Sequence, residues 1–181
     1  MDIPIFLSHP EPHLQRQRDF IHNLTGYLRK RGLHPRTLGA TNYDTEAPLR
    51  AVRRMLIESN GVLTIAFRRL RIETGCQKWE ADLPNVHPTP VSDIWLTSPW
   101  CHIEAAMAFQ LGLPVLVFRE KGVQADGILE QGVMGIYMPE FDLDDVDQQS
   151  FDAPMWQQLL GQWEAYVRST AMNKGTPPKL Y

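Results

Sequence analysis

The sequence predicts an α/β domain in which helices cover both faces of a parallel sheet. Three observations predict it. Short, almost continuous apolar runs stand at Ile3–Ser8 (IPIFLS), Val62–Phe67 (VLTIAF) and Pro114–Arg119 (PVLVFR), as strands covered on both sides require. Between and after them, apolar residues recur at three- and four-residue spacing, the period of amphipathic helices. Strand-like and helix-like segments also alternate along most of the chain, the pattern of crossover units in a parallel sheet. Adding a weak strand at His34–Leu38 and a last one at 135–138 gives a five-stranded parallel sheet. Its expected order is the flavodoxin-like 2-1-3-4-5, a three-layer sandwich that binds ligands beyond the carboxyl ends of its strands.

Each helix has its own signature. The first carries Phe20, Ile21, Leu24, Tyr27 and Leu28, with Gly32 placed to cap it. The second shows Leu49, Val52, Met55 and Leu56, after the polar loop GATNYDTEAP. A short helix is expected near Ala125–Glu130, and a closing one over about 154–170 buries Trp156, Leu159, Leu160, Trp163 and Val167. One domain spans 1–170 and a loose tail covers 171–181. Residues 68–97 break the pattern: Pro84, Pro88, Pro90, Trp79 and Trp95 occur there without clear periodicity. Their tryptophans favour an ordered flap, placed to act as a lid or to pack against the domain or a partner.

Composition removes several classes of function. With 181 residues, 43% hydrophobic and 22% charged, the chain is ordinary globular material. No apolar run approaches the ~20 residues of a bilayer span, and MDIPIFLSHPEPH lacks the basic start of a secretion signal. Cys76 and Cys101 form no CxxC pair, so the expectation is a reducing, cytoplasmic setting without a zinc site. The net charge of −3 is uneven, with 12 of the 18 Lys+Arg in residues 1–71. Arg50, Arg53, Arg54, Arg68, Arg69 and Arg71 form a solvated face or meet the phosphates of a nucleotide; a nucleic-acid partner is not expected. His9-xxx-His13 has metal-like spacing, but Pro10 and Pro12 forbid the helix that would bring the rings together. Neither Gly-x-Gly-x-x-Gly nor a Walker motif is present, so no bound cofactor is expected.

The most informative stretch is Thr97–Gly112. Ser98 suits an N-cap and Pro99 the first helical position, while Gly112 and Pro114 end the helix. At 100° per residue, Trp100, Ile103, Met107 and Leu111 share one face, expected to be the buried one, and Glu104 falls within that stripe. A carboxylate there is costly unless it is paired, protonated or open to a pocket. Glu104 is therefore the candidate catalytic residue. Ser8 and His9 end the first strand at the same crevice, Phe67 ends the third strand and Trp100 opens the helix; all four are candidate substrate contacts. Cys101 has no evident base and reads as an inert thiol.

Trp100-Cys-His-Ile-Glu104 is a WxxxE opening the helix after the third strand, and IFLSH stands in the first strand. In both features the chain resembles Toll/interleukin-1 receptor (TIR) domains over about residues 3–170. The resemblance implies NAD⁺ as substrate, Glu104 as the essential carboxylate and an ADP-ribose-derived signal, as in bacterial antiphage defence. It also implies that Asn42, Tyr43 and Asp44 lie in a BB loop that assembles like chains, and that a separate effector receives the product. Glu104-xxx-Ala108-xxx-Gly112-x-Pro114-Val115 is similar to a second group, the nucleoside 2-deoxyribosyltransferases and nucleotide N-glycosidases, with Ala106 and Leu113 in place of that group's glycine and lysine. Both groups break an N-glycosidic bond at a ribose anomeric carbon. A non-catalytic TIR adaptor is the third alternative.

Overall fold

The computed structural model describes residues 2–38, 47–134, 140–145, 151 and 153–174. Its elements are β1 (Ile3–Ser8), α1 (Gln15–Lys30), β2 (Leu33–Arg36), α2 (Pro48–Glu58), β3 (Val62–Ala66), β4 (Leu70–Gln77), β5 (Thr89–Leu96), α3 (Pro99–Gln110), β6 (Val115–Arg119) and α4 (Pro154–Met172). A single 3₁₀ turn, Gly127–Leu129, replaces the short helix expected near 125–130.

Four strands form a parallel sheet in the order β2-β1-β3-β6. That is the expected order for its first four positions. The fifth expected strand, 135–138, lies outside the described residues, as do Asn42, Tyr43 and Asp44. Among the described residues the other sheet is the antiparallel pair β4–β5, so the α/β class holds while five parallel strands do not.

Alternation along the strands divides the core. Ile3, Ile5, Leu7, Leu63, Ile65 and Phe67 face α1 and α4, where Phe20, Leu24, Trp156 and Trp163 complete a large aromatic cluster. Phe6 and Val62 face α2 and α3, meeting Val52, Leu56, Ala105 and Ala108. Gly61 allows the closest approach: a Cβ there would lie 2.5 Å from Val167 Cγ2.

The ordered flap expected over residues 68–97 is a hairpin. Leu70 pairs with Leu96 at its root and Gln77 with Thr89 near its end. Its alternation (Leu70, Ile72, Thr74, Cys76) escapes notice because neither face is well buried, so polar residues occupy both. Only the root is tied to the domain. Trp95 donates its N–H to Gly122 O at 3.3 Å and accepts from Gln124 N at 2.8 Å, while Arg68 and Arg71 lie over its ring at 5.7 and 6.0 Å. Trp79, expected to fold over something, is 73% exposed.

Helix α3 also departs from expectation. Its buried side chains are Cys101, Glu104, Ala105 and Ala108, whereas Trp100, Ile103 and Leu111 are exposed. The physical reason is distance. A helix lying close over a parallel sheet turns its small residues inward, and those here are alanines and a cysteine. The bulky stripe is left outside.

Candidate active site

Two carboxyl-end features of the sheet meet at one corner. β1 ends in Ser8, whose side chain shares the α3 face with that of Phe6. α3 begins as the sequence indicates, with Trp100 N donating to Ser98 Oγ at 3.3 Å and Pro99 in the first turn. One turn later Glu104 reaches back over the strand end. The Ser8 hydroxyl donates a short hydrogen bond to Glu104 Oε2, across 96 residues of sequence. Oε1 takes no hydrogen bond from any described residue. Glu104 is only 8% exposed, and burial pushes its carboxyl above the usual carboxylate range while the Ser8 donor pulls partly back.

The corner has three further polar members. Thr64, in register with Ser8 on the neighbouring strand, is fully buried and its hydroxyl has no hydrogen-bond partner. Cys101 Sγ lies 3.8 Å from Thr97 Oγ1 and 3.8 Å from Ile65 O, and burial pushes its thiol up to about 12. It therefore supplies no thiolate at neutral pH and does not rival Glu104 as a nucleophile. His9 Nδ1 lies 2.8 Å from Pro10 O, which can only accept, so Nδ1 carries the hydrogen. Burial lowers the His9 pKa and favours the neutral ring, leaving Nε2 as an acceptor.

Not every expected contact gathers here. Phe67 is 1% exposed and sits between Phe20 and Phe141, at 5.9 and 6.0 Å between ring centroids, on the opposite face of the sheet from α3. It continues the Leu63–Ile65 alternation and belongs to the core. Trp100 is exposed, one turn before Glu104. Two of the three arginines after β3 are engaged: Arg68 Nε donates to Lys121 O at 2.6 Å, and Arg71 Nη2 meets Asp93 Oδ1 at 2.8 Å.

Sequence reasoning missed a second buried carboxylate at this edge, Glu120, which follows β6 directly. Its Oε2 accepts from Arg68 N at 2.7 Å, and its Oε1 lies 3.8 Å from the Arg68 guanidinium. A glutamate immediately after the apolar run VLVFR is the signal that could have found it.

No protein-family model matches the chain, TIR included, and no curated protein matches it. Among solved structures it is similar to a CMP N-glycosidase from Clostridium botulinum, at 10% identity, covering 93% of this chain and 98% of that one with a TM-score of 0.46.

Proposed function

We propose that the chain is an enzyme cleaving the N-glycosidic bond of a nucleoside or nucleotide, with Glu104 as its essential carboxylate. One observation carries this. Among the described residues three glutamates are buried: Glu120 is held by Arg68, Glu164 by Arg31 and Arg168, and Glu104 by a serine hydroxyl with no described cation beside it. A buried carboxylate without a cation is a cost to the fold unless a substrate uses it. The transition state of N-glycoside cleavage supplies the missing cation, as charge develops on the ribose ring.

In this reaction the C1′–N bond breaks and its electron pair leaves with the base. Glu104 stabilises the oxocarbenium-like centre, or closes on C1′ as a glycosyl ester that water then opens. The water oxygen bonds to C1′, and its proton passes to the departing base or to solvent. Burial makes the carboxylate more basic than in water, while the Ser8 hydrogen bond fixes one oxygen and leaves the other for the sugar. Trp100, exposed one turn before Glu104, and His9, next in the chain after Ser8, are the proposed ribose contacts.

NAD⁺ cleavage is the second reading, favoured by the Trp100–Glu104 spacing at the start of α3. Nicotinamide leaves as a neutral base and needs no proton from the protein, which suits a corner where the neighbouring Cys101 thiol is inert. Incubating the protein with NAD⁺, nucleosides and nucleoside 5′-monophosphates, and resolving products by mass, decides the substrate. Free base released from any of them, and lost in Glu104→Gln, supports the proposal. No base released from the whole panel overturns it in favour of a non-catalytic module.

A further inference from the structure

The geometry points to a homodimer in which the β4–β5 arm of each copy seats Trp79 in a hollow beside α3 of the other. The arm is an unfinished structure on its own. β4 and β5 are mostly exposed along their length, and a lone two-stranded ribbon is marginal in water. Its end displays Trp79 at 73% and Leu83 at 66% exposure. All four non-glycine residues with positive φ among the described residues lie in this arm: Lys78, Glu80, Asn85 and Asp93, between 53° and 66°. Such backbone persists where surrounding contacts over-determine it, and the free arm has few.

The same chain carries the complementary surface. A hollow of about 440 Å³ lies against the N-terminal half of α3, with Leu96, Pro99 and Ile103 as its apolar wall and Gln124 and Asp126 at its rim. That volume accepts an indole, and an aromatic side chain in a pocket is the usual anchor of an interface. On α3 beside it Ile103 is exposed, and His102 lines the hollow with its Nε2 3.8 Å from Asp126 Oδ1. Lys78, next to Trp79, complements Asp126 at the rim.

The arm cannot fill its own hollow. Leu96, at the root of the arm, is part of the hollow wall, and Trp79 lies beyond the far end of β4. At ~3.3 Å per residue the eight-residue strand holds the tip roughly 25 Å away. Only a second copy brings the two together. A twofold axis makes the contact twice, each copy giving its arm and receiving the other's. This holds whatever bond the Glu104 corner acts on.

The test is mass in solution, by light scattering and sedimentation of the full chain across a concentration series. The wild type is expected as a dimer at micromolar concentration, with Trp79→Ser weakening association at least about 30-fold while keeping the wild-type thermal transition of the monomer. A second measurement works in trans. In a Cys76→Ser background that keeps Trp79, chains bearing Lys78→Cys are mixed with chains bearing Gln124→Cys and oxidised; disulfide-linked heterodimers are expected. A wild type that stays monomeric to about 100 μM overturns the proposal. So does unchanged dimerisation of Trp79→Ser, or absence of the heterodimer from the mixture. A single chain with both cysteines that closes on itself in the monomer fraction also overturns it and makes the arm a flap over its own domain.

Discussion

Glu104 and Glu120 stand at the same edge of the sheet, both buried and both with carboxyls raised by desolvation, yet they are satisfied in different ways. Glu120 spends its oxygens on the chain itself. It accepts from Arg68 N, and Arg68 O in turn accepts from Gln17 Nε2 at 3.3 Å, while Gln17 Oε1 accepts from His13 N and Leu14 N at 3.1 and 3.3 Å. Three loops are tied together by this run of bonds, so Glu120 reads as structure. Glu104 ties down one hydroxyl and keeps one oxygen unengaged by described residues. A buried acid held by a cation of its own chain holds a fold; one with no such cation among the described residues is available to a ligand.

The largest expected effect breaks that comparison directly. Glu104→Gln keeps the shape and the acceptor for Ser8 but removes the charge, and should cut base release by about 10²–10³-fold, the scale of losing one preorganised electrostatic contact. Glu120→Gln should leave the substrate spectrum alone. Rates of both variants on the best substrate, measured beside their circular dichroism, check the contrast. A folded Glu104→Gln protein within a few-fold of wild type would remove Glu104 from the mechanism.

Stability should show the reverse. Glu120→Gln weakens a buried, charge-assisted contact at the root of the arm and should cost about 1–3 kcal/mol in urea unfolding. A loss well under that range would mean that the Arg68 loop is held by Trp95 and Lys121 without help from the carboxylate.

How far this contrast could be read beforehand differs by element. The strands Ile3–Ser8, Val62–Ala66 and Val115–Arg119 were legible because parallel strands are apolar on both faces. Ser98, Pro99 and Gly112 marked the ends of α3 for local steric reasons. Glu104 stood out as a lone charge among apolar residues, but its reason was misjudged: it lies with Ala105 and Ala108 toward the sheet, not with Trp100 and Ile103. Helical periodicity fixes which residues share a face. Which face turns inward depends on how closely the sheet approaches, and α3 is apolar nearly all round. Phe67 failed as a substrate contact because strand parity, once β3 is placed, assigns it to the α1–α4 side. The Ser8–Glu104 bond and the Ser8–Thr64 register are products of long-range pairing with no local signature.

Ser8→Ala sharpens the comparison from the other partner. Hydrogen bonds to charged groups contribute about 1.5–3 kcal/mol, so the expected loss of activity is roughly tenfold or somewhat more. Removing the donor that lowers the Glu104 carboxyl should also move the acidic limb of the pH–rate profile to higher pH. A variant with lowered rate and an unmoved limb would make Ser8 a substrate contact rather than a partner of Glu104.

The smallest effect concerns stability against pH, and its sign separates a carboxylate that burdens the fold from one that supports it. Below the unfolded-state value, near 4.3 for glutamate, Glu104 is protonated in both states and costs nothing extra. As pH rises through the window between that value and the raised folded one, the unfolded chain releases its proton while the folded chain retains it. The wild type therefore loses stability across that window and stays lower above it. Glu104→Gln has no proton to release, and Ser8 can still donate to its amide oxygen. The melting temperature of Glu104→Gln should thus exceed that of the wild type at about pH 8 and approach it toward about pH 4. Differential scanning calorimetry of both proteins over that range measures the difference. A Glu104→Gln protein that melts below the wild type at high pH would show that the ionised carboxylate stabilises the fold, against the cost that its burial imposes.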